Sequence, residues 1–297
     1  MFGWYKWSLT ALLLMQGTAF ASDPNALYVP APFIVADPTP NYFPDWNNPQ
    51  GKERVSCAPQ PGQVKIDNDI LISQSNGTNS ANGVYTPANP TKLVNYNIRD
   101  GGCYTAKTGG PIDPLLGATG YPPGLSAPYP TGSWFSVYGD QRISMGKADR
   151  VNLIPIGVGG SYIHDWEPGG ANNIRLGTTA FRLSAAGLVP TRVLIDQGES
   201  DLNTPGPVYQ ASLQNLINSI HFYWPDVDIY VAQVTYINGL TSPAVAAAQL
   251  AVVNPAAHVH QGPNGDLLGA LYRYDNIHFS YPLGVTTWSS RWHAFLP

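Results

Sequence analysis

The sequence predicts an α/β fold: a doubly wound parallel sheet of about five strands flanked by helices, in three layers. Three observations carry that prediction. Short unbroken apolar runs, such as Ile70-Leu71-Ile72 and Val193-Leu194-Ile195, have the look of strands buried on both faces, as in parallel sheets. Longer segments with helical spacing alternate with them, most clearly at Leu213, Leu216, Ile217, Ile220 and Trp224. Three strand candidates end in small or polar residues, at Ser75, Gly159-Gly160 and Gln197-Gly198. A parallel sheet gathers such ends along one edge, and ligands of open α/β sheets bind there.

Met1 to Ala21 carries Lys6, an apolar run from Leu9 to Met15, and Ala19-Phe20-Ala21 before Ser22. This is the pattern of a secretory signal peptide cut after Ala21, and the run is too short to span a bilayer. The protein is therefore expected to be secreted or periplasmic, without membrane association after cleavage. Residues 22–61, rich in proline, asparagine and aromatics, read as an irregular N-terminal arm packed on the domain, and residues 62–297 as that domain.

The first strand spans about Asp69 to Ser73 and delivers Ser75 to the sheet edge. Residues 77–131 form a long stretch dense in Pro, Gly, Asn and Tyr, of a length that is usually functional or disordered, and Cys103 argues for an ordered one that shapes a binding site. A helix over Ser133–Met145 and a strand over Val151–Ile156 follow. Asn173–Ala186 reads as a helix stopped by Gly187 and Pro190, and Arg192–Asp196 as the third strand. Val208–Trp224 is the clearest helix, closed by Pro225. Asp228–Thr235 is a strand, Pro243–Val253 an alanine-rich helix and Ala257–Gln261 a short fifth strand. Leu283 to Phe295 carries Val285, Trp288, Trp292 and Phe295 at helical spacing, and its tryptophans are expected in the core rather than on a ligand platform.

Lysine plus arginine number 15 against 19 acidic residues, with no basic cluster, so nucleic acid is not an expected partner. The oligomeric state is not legible. Cys57 and Cys103 are the only cysteines, and in an exported chain such a pair is expected to form one disulfide.

A nucleophilic Ser75 needs a base, a group to orient it and oxyanion donors. Asp275-Asn276-Ile277-His278 supplies the first two: a carboxylate three residues before a histidine can hold one ring nitrogen while the other acts as base. His164, beside Asp165 in the loop after the second strand, is a candidate pocket residue. His258 and His260 share one strand face but have no evident third ligand, so no metal and no other cofactor is expected. Gly198-Glu199-Ser200 imitates part of a Gly-x-Ser-x-Gly elbow, yet Leu202 stands at the fifth place, which disfavours Ser200 as nucleophile.

These segments resemble a family. Ser73-Gln74-Ser75-Asn76 is similar to the Gly-Gln-Ser-Asn block of the SGNH (GDSL-like) hydrolases, in the carbohydrate-esterase branch of sialate O-acetylesterases and acetylxylan esterases. Gly159-Gly160-Ser161 through Trp166 resembles that branch's second block, Gln197-Gly198-Glu199-Ser200-Asp201 its third and Asp275-x-x-His278 its last. The resemblance implies a flavodoxin-like fold and an exported serine esterase acting on an acetylated carbohydrate. It assigns Ser75 as nucleophile, His278 as base and Asp275 as its orienter, with Ser75, Gly159 and Gln197 as oxyanion donors. Gln74, Asn76, Gly160, His164, Trp166 and Glu199 would surround the substrate. Two positions depart from the wider pattern: Ser73 stands where this branch often has glycine, and Gln197 where the superfamily has an asparagine donor. A catalytically silent carbohydrate-binding protein and a lipase or thioesterase are the alternatives on the same fold.

Overall fold

The computed structural model describes residues 48–49, 51–119 and 131–297. The signal peptide over residues 1–21 and most of the proposed arm lie outside the described residues. Eight strands form one sheet: β1 (Lys52–Val55), β2 (Ile66–Ser73), β3 (Leu93–Asn97), β4 (Gly102–Ala106), β5 (Arg150–Pro155), β6 (Arg192–Asp196), β7 (Asp228–Gln233) and β8 (Val259–Asn264). Their order is β1-β4-β3-β5-β2-β6-β7-β8. β4 runs antiparallel to both of its neighbours, and every other pairing is parallel.

Five strands stand where the sequence predicts them. The other three correct the expected count, and β1 falls within the stretch read as irregular. β3 and β4 lie in the presumed long loop and lack a clean apolar run, because β3 buries Asn95 and Asn97 among its apolar residues and β4 contains Gly102 and Thr105. Asn95 is accommodated by main-chain partners that only the folded chain supplies: Leu116 N–H donates to its Oδ1 at 2.6 Å, and its Nδ2 donates to Leu116 O at 3.1 Å.

The strand period of two sorts β2 between two cores. Ile70 and Ile72 join one cluster with residues of α2 (Asn173–Ala185), α3 (Gly206–Tyr223) and α4 (Pro243–Ala251). Leu71 joins the other, with α1 (Trp134–Ser144) and α5 (Leu283–Trp292). Three layers result. Ser133 caps α1 by accepting the Phe135 N–H at 3.2 Å. Gly139 lets α1 lie close on the sheet: a Cβ there would fall 2.6 Å from Leu93 Cδ1. Trp288 and Trp292 of α5 are fully buried, with Trp292 stacked on Trp134 at 5.6 Å, whereas Phe295 lies beyond the helix and is partly exposed. Truncating any of these buried tryptophans to alanine would cost about 3–5 kcal/mol.

Cys57 and Cys103 are bonded, with Cα atoms 5.2 Å apart and a sequence separation of 46. In the chain-entropy account, closing a loop of that length stabilises by about 4 kcal/mol. The bond fastens the segment after β1 to β4, at the sheet edge remote from β2.

β2 sits between β5 and β6, with Ile70 opposite both Ile154 and Val193. The chain leaves β2 for strands on one side and later returns on the other. That is a topological switch point, where the loops diverge and leave a crevice. Ser75 follows the end of this strand.

Candidate active site

Ser75 begins a 3-10 turn over Ser75–Gly77, immediately beyond β2. The turn is tight: a Cβ at Gly77 would come 2.3 Å from Ser73 Cβ, and one at Gly157 would come 2.2 Å from Ser73 Oγ. Two neighbouring glycines thus make the room that Ser73 takes up. Ser73 Oγ is buried without a hydrogen-bond partner among the described residues.

Loops from the carboxyl ends of five parallel strands enclose a cavity of about 220 Å³. Gln74 and Ser75 come after β2, Gly159 and Gly160 after β5, Ser200 after β6, Ile237 after β7, and Ile277 and His278 after β8. Thr78, Ser80 and Thr119 complete the wall. The sequence reading missed Thr78, Ser80, Thr119, Ile237 and Ile277 as wall residues. None stands in a distinctive pattern, and only the long stretch around residue 119 carried a hint.

His278 Nδ1 lies 2.7 Å from Asp275 Oδ2. Asp275 Oδ1 also accepts the main-chain N–H groups of Ile277 and His278, at 2.9 and 2.7 Å. Partial burial alone would raise the Asp275 carboxyl, but the bonds from the His278 ring and backbone prevail and hold it at about 2. With Nδ1 engaged, Nε2 is the ring nitrogen left to act as base. Ser75 and His278 line the same cavity, without a direct hydrogen bond between their side chains among the described residues.

The oxyanion assignments divide. Ser75 and Gly160 line the cavity, and their N–H groups have no acceptor among the described residues. Gly159 also lines it, but its N–H is given to Thr119 Oγ1 at 2.7 Å. Gln197 is away from the cavity: its Nε2 donates to Asp201 Oδ2 at 2.7 Å and Ser161 O at 3.2 Å, and its Oε1 accepts from Tyr209. Gln74 stands at the cavity instead. Its Oε1 accepts the Ser200 N–H at 2.9 Å, and its Nε2 has no acceptor among the described residues.

The residues expected around the substrate separate in the same way. Gln74 and Gly160 line the cavity. Trp166 does not: it is fully buried and donates Nε1–H to Ser161 Oγ, so it is a core residue. The His164 side chain is 63% exposed, pairs with Asp165 at 3.5 Å and stacks on Tyr162 outside the cavity. Asn76 and Glu199 lie behind the wall, buried and bonded to each other. His258 and His260 both meet Asp228 Oδ1, at 3.0 and 2.9 Å. Among the described residues no group of three His, Cys, Asp or Glu side chains is arranged to hold a metal ion, and no helix is long and apolar enough to cross a membrane.

Comparison with known proteins extends this geometry. The fold is similar to that of a protein from Arabidopsis thaliana, with a TM-score of 0.58 and 17% identity over 77% of this chain and 98% of that one. It is also similar to a carbohydrate acetylesterase from Xanthomonas citri, with a TM-score of 0.51 and 13% identity over 76% of this chain and 55% of that one. A search of curated proteins gives no match. Residues 132–285 match the profile of a family described as carbohydrate esterase, sialic acid-specific acetylesterase. That span is more than half of the chain, and with the SGNH-type architecture it shows that the protein belongs to this carbohydrate esterase family.

Proposed function

We propose that the protein is an exported serine esterase that removes O-acetyl groups from a carbohydrate through an acetyl-enzyme. The observation that carries this reading is the His278–Asp275 pair opening onto the same small cavity as Ser75. Ser75 Oγ bonds to the acetyl carbonyl carbon as its proton passes to His278 Nε2. The carbonyl oxygen becomes an oxyanion, held by the Ser75 and Gly160 N–H groups and by Gln74 Nε2. Such a donor is worth about 3–4 kcal/mol where the charge develops. His278 then gives the proton to the departing sugar oxygen, the C–O bond breaks, and acetyl-Ser75 remains. Water, deprotonated by His278, attacks the acetyl carbon, and acetate leaves as Ser75 Oγ regains its proton. Asp275 keeps the proton on Nδ1 throughout and steadies the imidazolium.

Export by a signal peptide over residues 1–21 belongs to the same proposal. The Cys57–Cys103 disulfide supports it, because such bonds persist in oxidising compartments.

The test is hydrolysis of 4-nitrophenyl acetate by two serine variants. Ser75→Ala should lower kcat at least about a thousandfold with the fold intact, as for loss of one member of a coupled triad. Ser200→Ala should keep most activity, because Ser200 contributes its N–H rather than its hydroxyl. The opposite pair of results would move the nucleophile to Ser200. No turnover by the unmodified protein on any acetyl ester would favour a silent carbohydrate-binding protein.

A further inference from the structure

Glu199 is buried to 1% exposure and takes no part in the chemistry proposed above. Its Oε1 accepts a hydrogen bond from Asn76 Nδ2 at 2.9 Å. Asn76 is the residue after Ser75, and its amide also reaches the two residues that flank His278. It donates to Ile277 O at 3.1 Å and accepts the Phe279 N–H at 3.0 Å. One side chain therefore ties the turn of the nucleophile to the main chain on both sides of the base. The neighbouring residue acts in parallel: the Ser200 N–H is bonded to Gln74, which precedes Ser75. Consecutive residues of the third loop thus hold the residues on either side of Ser75.

From this connectivity we propose that Glu199 is a positioning residue, which fixes the Ser75–His278 relationship by orienting the amide of Asn76. The inference rests on Ser75 and His278 being the reacting pair. Asn76 has an oxygen and a nitrogen end of nearly equal shape, and only one orientation satisfies Phe279 N–H and Ile277 O together. An acceptor at Glu199 Oε1 adds a third demand for that same orientation. A donor there, or an apolar group, withdraws it and leaves one amide hydrogen unpaired in a buried site.

The surroundings favour a neutral acceptor. Burial first, and the nearby Asp196 carboxyl second, push the Glu199 carboxyl up to about 8, while Arg273 and the Asn76 bond oppose the rise. Tyr209 of α3 also faces this charge cluster. Arg273 donates to the same Ile277 carbonyl as Asn76 and lies over the Phe279 ring at 4.4 Å. The segment holding His278 is thus gripped from two sides, by Arg273 on its own chain segment and by the Glu199–Asn76 pair from across the sheet edge.

A glutamine at this position keeps an amide oxygen for Asn76, and a methionine keeps the volume with no such acceptor. The experiment measures kcat and KM on 4-nitrophenyl acetate near neutral pH, with thermal melts to establish folding. Its variants are Glu199→Gln, Glu199→Met, Asn76→Ala, the Glu199→Met/Asn76→Ala pair and Ser75→Ala. Glu199→Gln should hold kcat within about threefold, while Glu199→Met should lower kcat at least about tenfold with KM nearly unchanged. The double variant should be no worse than Asn76→Ala alone, because Glu199 acts through Asn76. Wild-type kcat in a folded Glu199→Met, or losses that multiply in the double variant, would overturn the inference. Should the methionine variant not fold, a folded Glu199→Gln with kcat more than tenfold down would overturn it, and one near wild type would sustain it. Ser75→Ala separates the two levels: if it is inactive while Glu199→Met is normal, only the positioning role falls. If Ser75→Ala is active, both readings fall together.

Discussion

Gln74 follows the last residue of β2, lines the cavity, and accepts the Ser200 N–H with its side-chain oxygen, so that Nε2 is not engaged by that bond. Gln197 has the same chemistry one loop away, but Asp201, Ser161 and Tyr209 use up its amide. Gln74→Ala is therefore expected to lower kcat by about a hundredfold to a thousandfold with little change in KM, as for loss of one oxyanion donor. Gln197→Ala should instead lower the melting temperature, because it strips partners from the buried Asp201 and Tyr209, and leave kcat within a few-fold. Steady-state kinetics and thermal melts on the two variants decide between them, and a normal kcat in Gln74→Ala would remove it from the oxyanion site. The sequence could not make this choice. Both glutamines stand beside distinctive loop residues, and the deciding fact is which backbone N–H each oxygen meets after folding. Ser75, Asp275 and His278 were legible because their pattern is local: an apolar run ending in a serine, and a carboxylate three residues before a histidine.

At the level of elements, β6 is joined to the α1–α5 layer through one carboxylate. Asp196 Oδ2 accepts the indole N–H of Trp134 at 2.9 Å and of Trp288 at 3.3 Å. The sequence shows Asp196 as the end of a strand and the tryptophans as core, but not that they meet. Their contact depends on how α1 and α5 cross the sheet. The same limit hid β3, whose buried Asn95 breaks the apolar run until Leu116 supplies partners. Burial raises the Asp196 carboxyl to about 6, against the opposing indole bonds, and burial with Asp196 raises Glu199 to about 8. Both folded-state values exceed the unfolded ones, so both groups bind protons more tightly in the native protein. Their stabilising effect is complete below about pH 4 and is lost as pH rises through about 6 and then about 8. His293 has the opposite sign: burial and nearby cations lower it to about 4, so its effect is lost as pH falls. Comparison with the Asp196→Asn/Glu199→Gln double variant cancels His293, which both proteins retain. The wild type should lose melting temperature relative to that variant between about pH 4 and about pH 8. Parallel melting curves across this range would show that the two carboxyls are already ionised in the folded protein at low pH.

For the whole molecule, the sheet sets how large an acyl group the site admits. Five strand ends converge on a cavity of about 220 Å³, below the roughly 300–1,000 Å³ of sites that enclose drug-sized ligands. Most of its wall is built of short residues, Thr78, Ser80, Thr119, Gly159, Gly160 and Ser200, with Ile237 and Ile277 as the larger apolar side chains. Each methylene of a longer acyl chain would gain about 0.8 kcal/mol if it were buried against apolar surface. Two isoleucines shelter a methyl group, but an octanoyl chain outgrows a cavity of about 220 Å³ and must leave most of its length in water, where its methylenes gain nothing. Alternatively it displaces the loops, one of which is fixed by Asp275 and by the Asn76 bonds. Either course loses more than the added methylenes return. On a series of 4-nitrophenyl esters, kcat/KM should fall steeply from acetyl to butyryl to octanoyl, and acetylated sugars should be better substrates than simple acetates. An octanoyl ester turning over faster than acetyl would mean that the loops open onto a larger apolar surface, and the protein would then be a lipase or thioesterase on this carbohydrate-esterase fold.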